Sequence, residues 1–441
     1  MTGARSELLD ASKPGTCRLF IRQGRLDLIP SLVHLLRGKW TDLPPIPHGR
    51  TPPLPRYHAY GTLPAMHPRV DLAGLPFADF LAWARGLVGH GDRFHRALYR
   101  QVLTTGTFAP RSLAAWREAE AQRPGVIAIL EAAAAPVQRP TVVRTRAGHD
   151  PQHGETIKLV IRLHDGLEAE AVLIPMRAAV GQASHHTLCV SSQVGCKMGC
   201  AFCHTANMGL VRQLAPHEIV GQYLATVAHT GIVPRNVVFM GMGEPLDNLD
   251  AVAQAVAVFT ARPGLGLADR HVTISTVGRV DGLARLPALG LSRVNLAVSL
   301  TAADDELRSR LMPINRTADL ATLKRALLAY PLPADRRLLI GYVLLAGVND
   351  RVVDAERLIA WLAGLRSMVN LIPFNDYAGS AFRRPDDDAI LAFRAHLTAA
   401  GVHVRLRLTK GDDCMAACGQ LGNPGLRQRR PAAARGHSVI G

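Results

Sequence analysis

The chain has 441 residues, 48% of them hydrophobic and 20% charged, enough for a sizeable core and for more than one domain. No run reaches the roughly 18 apolar residues of a membrane span, and the N-terminus MTGARSELLDAS lacks the apolar centre of a secretory signal, so a cytoplasmic location is expected. The net charge of +16 points either to a polyanionic partner, nucleic acid foremost, or to an arginine-rich compositional bias. The seven cysteines, odd in number and six of them in two tight groups, exclude a disulfide framework.

Residues 1–70 are rich in proline and turn formers (TDLPPIPHGRTPPLPRYHAYGTLP) and are expected to be extended or disordered, apart from a weak helix at Leu26–Leu36. Residues 71–140 change to helical periodicity. LPFADFLAWARGLV, RFHRALYRQVLTTG and RSLAAWREAEAQ each place apolar residues on one face, which predicts a helical accessory domain. Its Arg93, His95, Arg96 and Arg100 offer either phosphate contacts or a solvated face. Residues 141–182 alternate as strands (TVVRTR, ETIKLVIRL, EAEAVLIP) and predict a small antiparallel β unit. From 183 to 420 six apolar strands alternate with helical stretches: HTLCVSS, NVVFMGMGEP, HVTISTVG, RVNLAVSLT, RLLIGYVLLAG and VNLIPFN. That rhythm predicts an α/β fold with a parallel sheet, and six units are too few for a closed eightfold barrel, so a partial (β/α)6 barrel is expected. Residues 421–441 form a basic tail expected to be disordered.

The densest chemistry is Cys196-x3-Cys200-x2-Cys203 in VGCKMGCAFCHTA. Three thiolates in one short loop suit three corners of a 4Fe-4S cluster and leave the fourth iron open. Zinc, with His204 or Cys189 as fourth ligand, is the competing reading. Structural zinc sites favour paired C-x2-C units, and one such pair exists here. Polar residues and glycines then recur at the ends of the predicted strands: Gly241, Gly243 and Glu244 after the second, Ser275 and Thr276 in the third, Ser299 and Thr301 at the fourth, Asn375 after the sixth. In barrels of βα units the reactive groups gather at these ends. Glycines permit close backbone approach, and Glu244 is suited to accept from an ammonium group.

The stretch TLCVSSQVGCKMGCAFCHTANMG, followed by VVFMGMGEPLDN, VTIST, LIPFN and KGDDCMAACGQLG, closely resembles the RlmN/Cfr family of radical S-adenosylmethionine (SAM) RNA methyltransferases, from about residue 90 to 422. The cluster loop marks the superfamily; ACGQL marks this family. The resemblance implies a 4Fe-4S cluster on Cys196, Cys200 and Cys203, and SAM held by Gly243, Glu244, Ser275, Ser299, Leu300, Thr301 and Asn375. It implies that Cys418 first takes a methyl group from one SAM. A 5′-deoxyadenosyl radical from a second SAM then removes hydrogen from that methyl, and the carbon radical adds to the adenine ring. Cys189 matches the cysteine that releases the product by forming a disulfide with Cys418, and Glu170 the acidic residue proposed as proton acceptor. The expected reaction is methylation of an adenosine, at carbon 2, in 23S rRNA, tRNA or both. Alternatives are carbon 8, a divergent substrate, or a non-catalytic zinc protein that binds RNA. An electron donor such as a flavodoxin and a monomeric state are also expected.

Thr301 departs from the pattern, since the family reads Ser-Leu-His where this chain reads Ser299-Leu300-Thr301. Cys414, four residues before Cys418, reads as a small buried residue or a second thiol on the same helical face, and Cys17 as incidental. His185 and His186 read as surface loop residues and His204 as a packing neighbour of the cysteine loop. Arg407, Lys410, Asp412 and Asp413 either order the approach to Cys418 or meet RNA phosphates. A target atom inside a stacked base requires an unstacked or flipped adenosine.

Overall fold

The computed structural model describes residues 71–89, 91–150, 154–176, 184–407 and 415–423. The expectations for residues 1–70 with Cys17, for Lys410, Asp412, Asp413 and Cys414, and for the tail beyond 423 lie outside these. Within them, no helix is long and apolar enough to cross a membrane.

The helices Phe77–Val88, Asp92–Thr105, Trp116–Gln122 and Val126–Ala133 come first. Along Asp92–Thr105 the inward stripe is Phe94, His95, Leu98, Tyr99, Val102 and Leu103, while Arg93, Arg96 and Arg100 are exposed. His95 therefore does not share the phosphate-facing role open to the arginines. It stands three, four and seven residues before Leu98, Tyr99 and Val102, which is the spacing of one helix face. Gly106 closes this helix in the left-handed conformation at φ 59°.

Among the described residues the strands are β1 (Thr141–Asp150), β2 (Gly154–Arg162), β3 (Glu168–Met176), β4 (His185–Cys189), β5 (Gln193–Cys196), β6 (Gly209–Gln213), β7 (Asn236–Phe239), β8 (Val272–Thr276), β9 (Asn295–Ser299), β10 (Leu338–Leu344), β11 (Ser367–Pro373) and β12 (Val404–Leu406). Ten of them form one sheet in the order β1-β2-β3-β4-β7-β8-β9-β10-β11-β12, and β5 pairs with β6 as a separate hairpin. The six expected parallel strands are β4, β7, β8, β9, β10 and β11. A seventh, β12, adds parallel to β11 at the edge. β1, β2 and β3 are antiparallel as expected, and β3 pairs antiparallel with β4, so they extend the main sheet without a break. His185 and His186 open β4 and are half-buried strand residues, not loop residues.

Strand residues alternate between two faces. One face of the parallel strands carries Leu188, Val237, Ile274, Leu296, Val298, Ile340, Val369 and Leu371, all buried in one continuous apolar core. The opposite face carries Ser275, Ala297, Ser299, Gly341, Val343, Asn370 and Ile372, which line a cavity. Register places Cys189 opposite Val238, Val238 opposite Thr273, and Thr273 opposite Asn295, so Cys189 belongs to the cavity face. Across β3 the same row continues through Val172 to Lys158, with Glu170 one pleat repeat away.

Candidate active site

The cavity, about 180 Å³, opens at the C-terminal ends of the parallel strands. It is lined by Cys200, Cys203, Gly243, Glu244, Ser275, Ser299, Asn375 and Cys418 among others. The fold therefore collects two cysteines of the loop, most of the expected SAM contacts and the expected methyl carrier around one space. Leu300 and Thr301 do not line it. Both are fully buried behind its wall, where the Leu300 amide donates to Gly341 (2.8 Å) and its carbonyl accepts from Arg308 Nε (3.2 Å).

The cysteine loop leaves the β5–β6 hairpin at Cys196. Gly195, at the bulge in that hairpin, has φ 78°, and a side chain there would strike the Gly209 carbonyl. The loop is tied down by the Ala201 amide donating to Leu311 O (2.9 Å) and the Cys203 amide to Cys200 O (3.1 Å). Burial pushes the Cys196 thiol up to about 12 and raises Cys200 and Cys203 as well. Thiols gathered where water cannot stabilise their anions suit ligation, in which a metal supplies the positive charge. The sulfurs of Cys196, Cys200 and Cys203 do not all lie within 4.8 Å of one another. A tetrahedral zinc needs sulfurs roughly 3.8 Å apart, whereas a cubane takes its thiolates on separate irons. His204, the candidate fourth zinc ligand, packs its ring edge-on against Tyr377 at 5.1 Å. The donor set thus fits a 4Fe-4S cluster better than zinc.

The opposite wall is built for a polar ligand. Gly243 has φ 104°, and a Cβ there would lie 2.6 Å from Gln193 Cβ, so only glycine fits. The Gln193 side chain accepts from the Glu244 amide (2.8 Å) and donates to Gln213 (2.8 Å), fixing this turn against the hairpin. Glu244 is fully buried; its carboxylate accepts from the amides of Leu246 (3.0 Å) and Val277 (2.9 Å). Burial outweighs these bonds and raises its carboxyl to about 7. Asn375 donates to the Cys418 carbonyl (3.0 Å), while its Oδ1 is buried without a partner. An unpaired amide oxygen and a carboxylate with no cation are what SAM's ammonium and adenine groups would satisfy.

Cys418 is exposed, on a loop stitched down along its length. The His204 amide donates to Gly419 O (2.7 Å), Thr205 Oγ1 to Leu421 O (2.6 Å) and Gln420 Nε2 to Asp376 O (2.8 Å). Glu170 accepts from the Gly422 amide (2.7 Å) and is ion-paired with buried Lys158 (2.9 Å), which also donates to Met415 O (3.0 Å). Glu170 is thus a bracket for the Cys418 loop. Cys189 is buried close enough to Cys418 and Arg407 for their charges to act on it; burial pushes its thiol up to about 12. Both cysteines are free thiols here.

Sequence reasoning missed Lys158, Gln193 and Arg308. A lysine set between Ile157 and Leu159, diagonal to a glutamate on the next strand, was a readable signal for the first; the other two depend on non-local packing.

The profile of the Radical SAM superfamily matches residues 190–359. The chain is 43% identical over 278 residues to the probable dual-specificity RNA methyltransferase RlmN 1 of Protochlamydia amoebophila, covering 63% of this chain and 76% of that one. It is 48% identical over 267 residues to the dual-specificity RNA methyltransferase RlmN of Geobacter sulfurreducens, covering 60% and 71%. A radical SAM methyltransferase from Sphaerobacter thermophilus superposes with a TM-score of 0.66 at 34% identity, over 80% of this chain and 99% of that chain. With its cysteine loop, strand-end cavity and stitched Cys418 loop in place, the chain belongs to the RlmN family of radical SAM RNA methyltransferases.

Proposed function

We propose that the chain methylates carbon 2 of an adenosine in 23S rRNA, tRNA or both, with Cys418 as methyl carrier. The reading rests on one observation above the rest: an exposed thiol, Cys418, shares a cavity with Cys200 and Cys203, and its loop is held there by four bonds to three separate segments. Cys196, Cys200 and Cys203 would hold the cluster; Gly243, Glu244, Ser275, Ser299 and Asn375 would hold SAM, with Leu300 and Thr301 supporting the wall from behind. When bound, these groups supply the electron, the methyl group and the radical chemistry.

The chain's own residues do the rest. Cys418 receives the methyl on sulfur and carries it into the adenine ring as a protein–RNA adduct. Glu170, ion-paired with Lys158, accepts the proton lost from the ring carbon, and the adduct's unpaired electron would return to the cluster when it is bound. The Cys189 sulfur then attacks the Cys418 sulfur. An S–S bond forms as the S–C bond breaks, and the released carbon takes a proton. The raised Cys189 thiol keeps that step from running early, since its thiolate is scarce until a base takes its proton. The helical segment 71–140 serves as the RNA contact through Arg93, Arg96 and Arg100, the barrel segment 183–420 as the catalytic unit. A flavodoxin-type donor, a monomeric state and a cytoplasmic location complete the reading.

The decisive test is the mass of the Cys418 peptide after anaerobic reconstitution and incubation with SAM. One added methylene, lost in Cys418→Ala together with RNA methylation, is expected. A cluster-loaded, SAM-binding protein with an unmodified Cys418 would overturn the carrier role. Nucleoside analysis of the product separates carbon 2 from carbon 8.

A further inference from the structure

Arg308 is 1% exposed and heads the largest fully buried side chains. It sits on the helix Asp305–Leu311, and all three of its guanidinium nitrogens donate hydrogen bonds. Nε donates to Leu300 O (3.2 Å), Nη1 to Asn315 Oδ1 (2.8 Å), and Nη2 to Val277 O (2.8 Å) and Ser299 O (3.3 Å). All four acceptors are neutral. Among the described residues no carboxylate lies within 4.0 Å of it. Asp305 stands one layer back, behind the Asn315 amide that bonds its Oδ1 at 2.9 Å. A buried guanidinium keeps its charge, and a buried charge without a counter-ion is costly unless another anion answers it.

The surroundings identify that anion. The same helix ends at Leu311, whose carbonyl receives the Ala201 amide of the cysteine loop (2.9 Å). Cys200 packs with Leu307, Leu311 and Met312 around it. Arg308 Nη2 bonds the carbonyls of Val277 and Ser299, two residues that line the same cavity as Cys200 and Cys203. A cubane on three thiolates is anionic and becomes more so on reduction.

We propose that Arg308 is the fixed counter-charge of the 4Fe-4S cluster, a positioning residue that raises the cluster's reduction potential while tying the ends of β8 and β9 together. This rests on the family's cluster being held by Cys196, Cys200 and Cys203. Removing a nearby positive charge disfavours the more negative reduced state, so the potential must fall.

The test is an EPR-monitored redox titration of the anaerobically reconstituted full chain without SAM. In Arg308→Gln the reduced-to-oxidised ratio at the wild-type midpoint is expected to drop about tenfold, equivalent to ~59 mV for one electron. Arg308→Lys keeps the charge and is expected to stay within about threefold of wild type. A third variant, Asp305→Asn combined with Asn315→Asp, exchanges amide and carboxylate at constant net charge and sets a carboxylate against Arg308. It is expected to lower the potential like Arg308→Gln, and it keeps the proposal testable if Arg308→Gln fails to fold. Unchanged potentials in all loaded variants would reduce Arg308 to a structural tie, as would an Arg308→Lys that falls as far as Arg308→Gln. A wild-type chain that takes up no iron would overturn the family reading itself, and the proposal with it.

Discussion

Glu244 sits where ionisation is unfavourable, and the consequence has a definite sign. Its carboxyl titrates at about 7 in the native state against 4.5 ordinarily, so between those values the unfolded chain releases a proton that the native chain keeps. Stability of the cofactor-free protein must therefore fall as pH rises from about 4.5 to 7, by a total of about 3 kcal/mol, and then level off. Glu244→Gln is expected to be indistinguishable from wild type in melts near pH 4 and more stable at pH 8. An ammonium ligand favours the ionised form, so SAM affinity is expected to rise through pH 7 in wild type and to lose that dependence in Glu244→Gln, measured by calorimetry. Thr301 is strained in another way. It is fully buried at φ 60°, a β-branched residue in the left-handed region, with its hydroxyl unpaired. Thr301→Gly relieves both and is expected to raise stability by about 1 kcal/mol, where a buried threonine-to-glycine change elsewhere would lower it. A lower melting temperature would show that packing by the methyl group dominates.

Among the elements, the β2–β3 pair matters because it reaches across to the last loop. Lys158 and Glu170 are both buried, and each bonds one end of the Cys418 segment. Lys158→Met strands the carboxylate and frees Met415. The expected cost is about 3–5 kcal/mol, together with faster alkylation of Cys418, read by mass spectrometry. A melt shifted without any change in alkylation would separate the ion pair from the loop. The parallel strands farther along the sheet were legible because largely apolar runs of VNLAV or LLIGY type leave little choice of structure. β12 was not, since Val404–Leu406 is too short to show a period and exists only by pairing with β11. Val126–Ala133 follows a Gly125 that starts the helix from the left-handed region, a signal easily read as a loop. The junction of β3 with β4 depends on the register between two separate strands, which no local pattern carries.

At the scale of the molecule, the main sheet has an apolar core on one face and the ligand-sized cavity on the other, and the chain carries +16 in formal charge. RNA affinity should therefore be strongly salt-dependent, weakening about tenfold or more between roughly 50 and 200 mM salt if a few phosphates are neutralised. Filter binding with a structured RNA measures this, and Arg93→Ala with Arg96→Ala is expected to reduce the slope. A flat salt response would assign the charge to composition alone. The site was more legible than its supports. Cys196, Cys200, Cys203 and Cys418 stand out because their spacing serves chemistry and nothing else. Lys158 and Arg308 stayed hidden because a charged residue on a strand or an amphipathic helix reads as solvent-facing until the packing is known.

The bonds from His204 and Thr205 to Gly419 and Leu421 carry one more implication. The segment that bears Cys418 is moored directly to the residues that follow Cys203. A shift in the residues after Cys203 would therefore be handed straight to the Cys418 arm, so the two ends of the proposed machinery are expected to gain or lose order together.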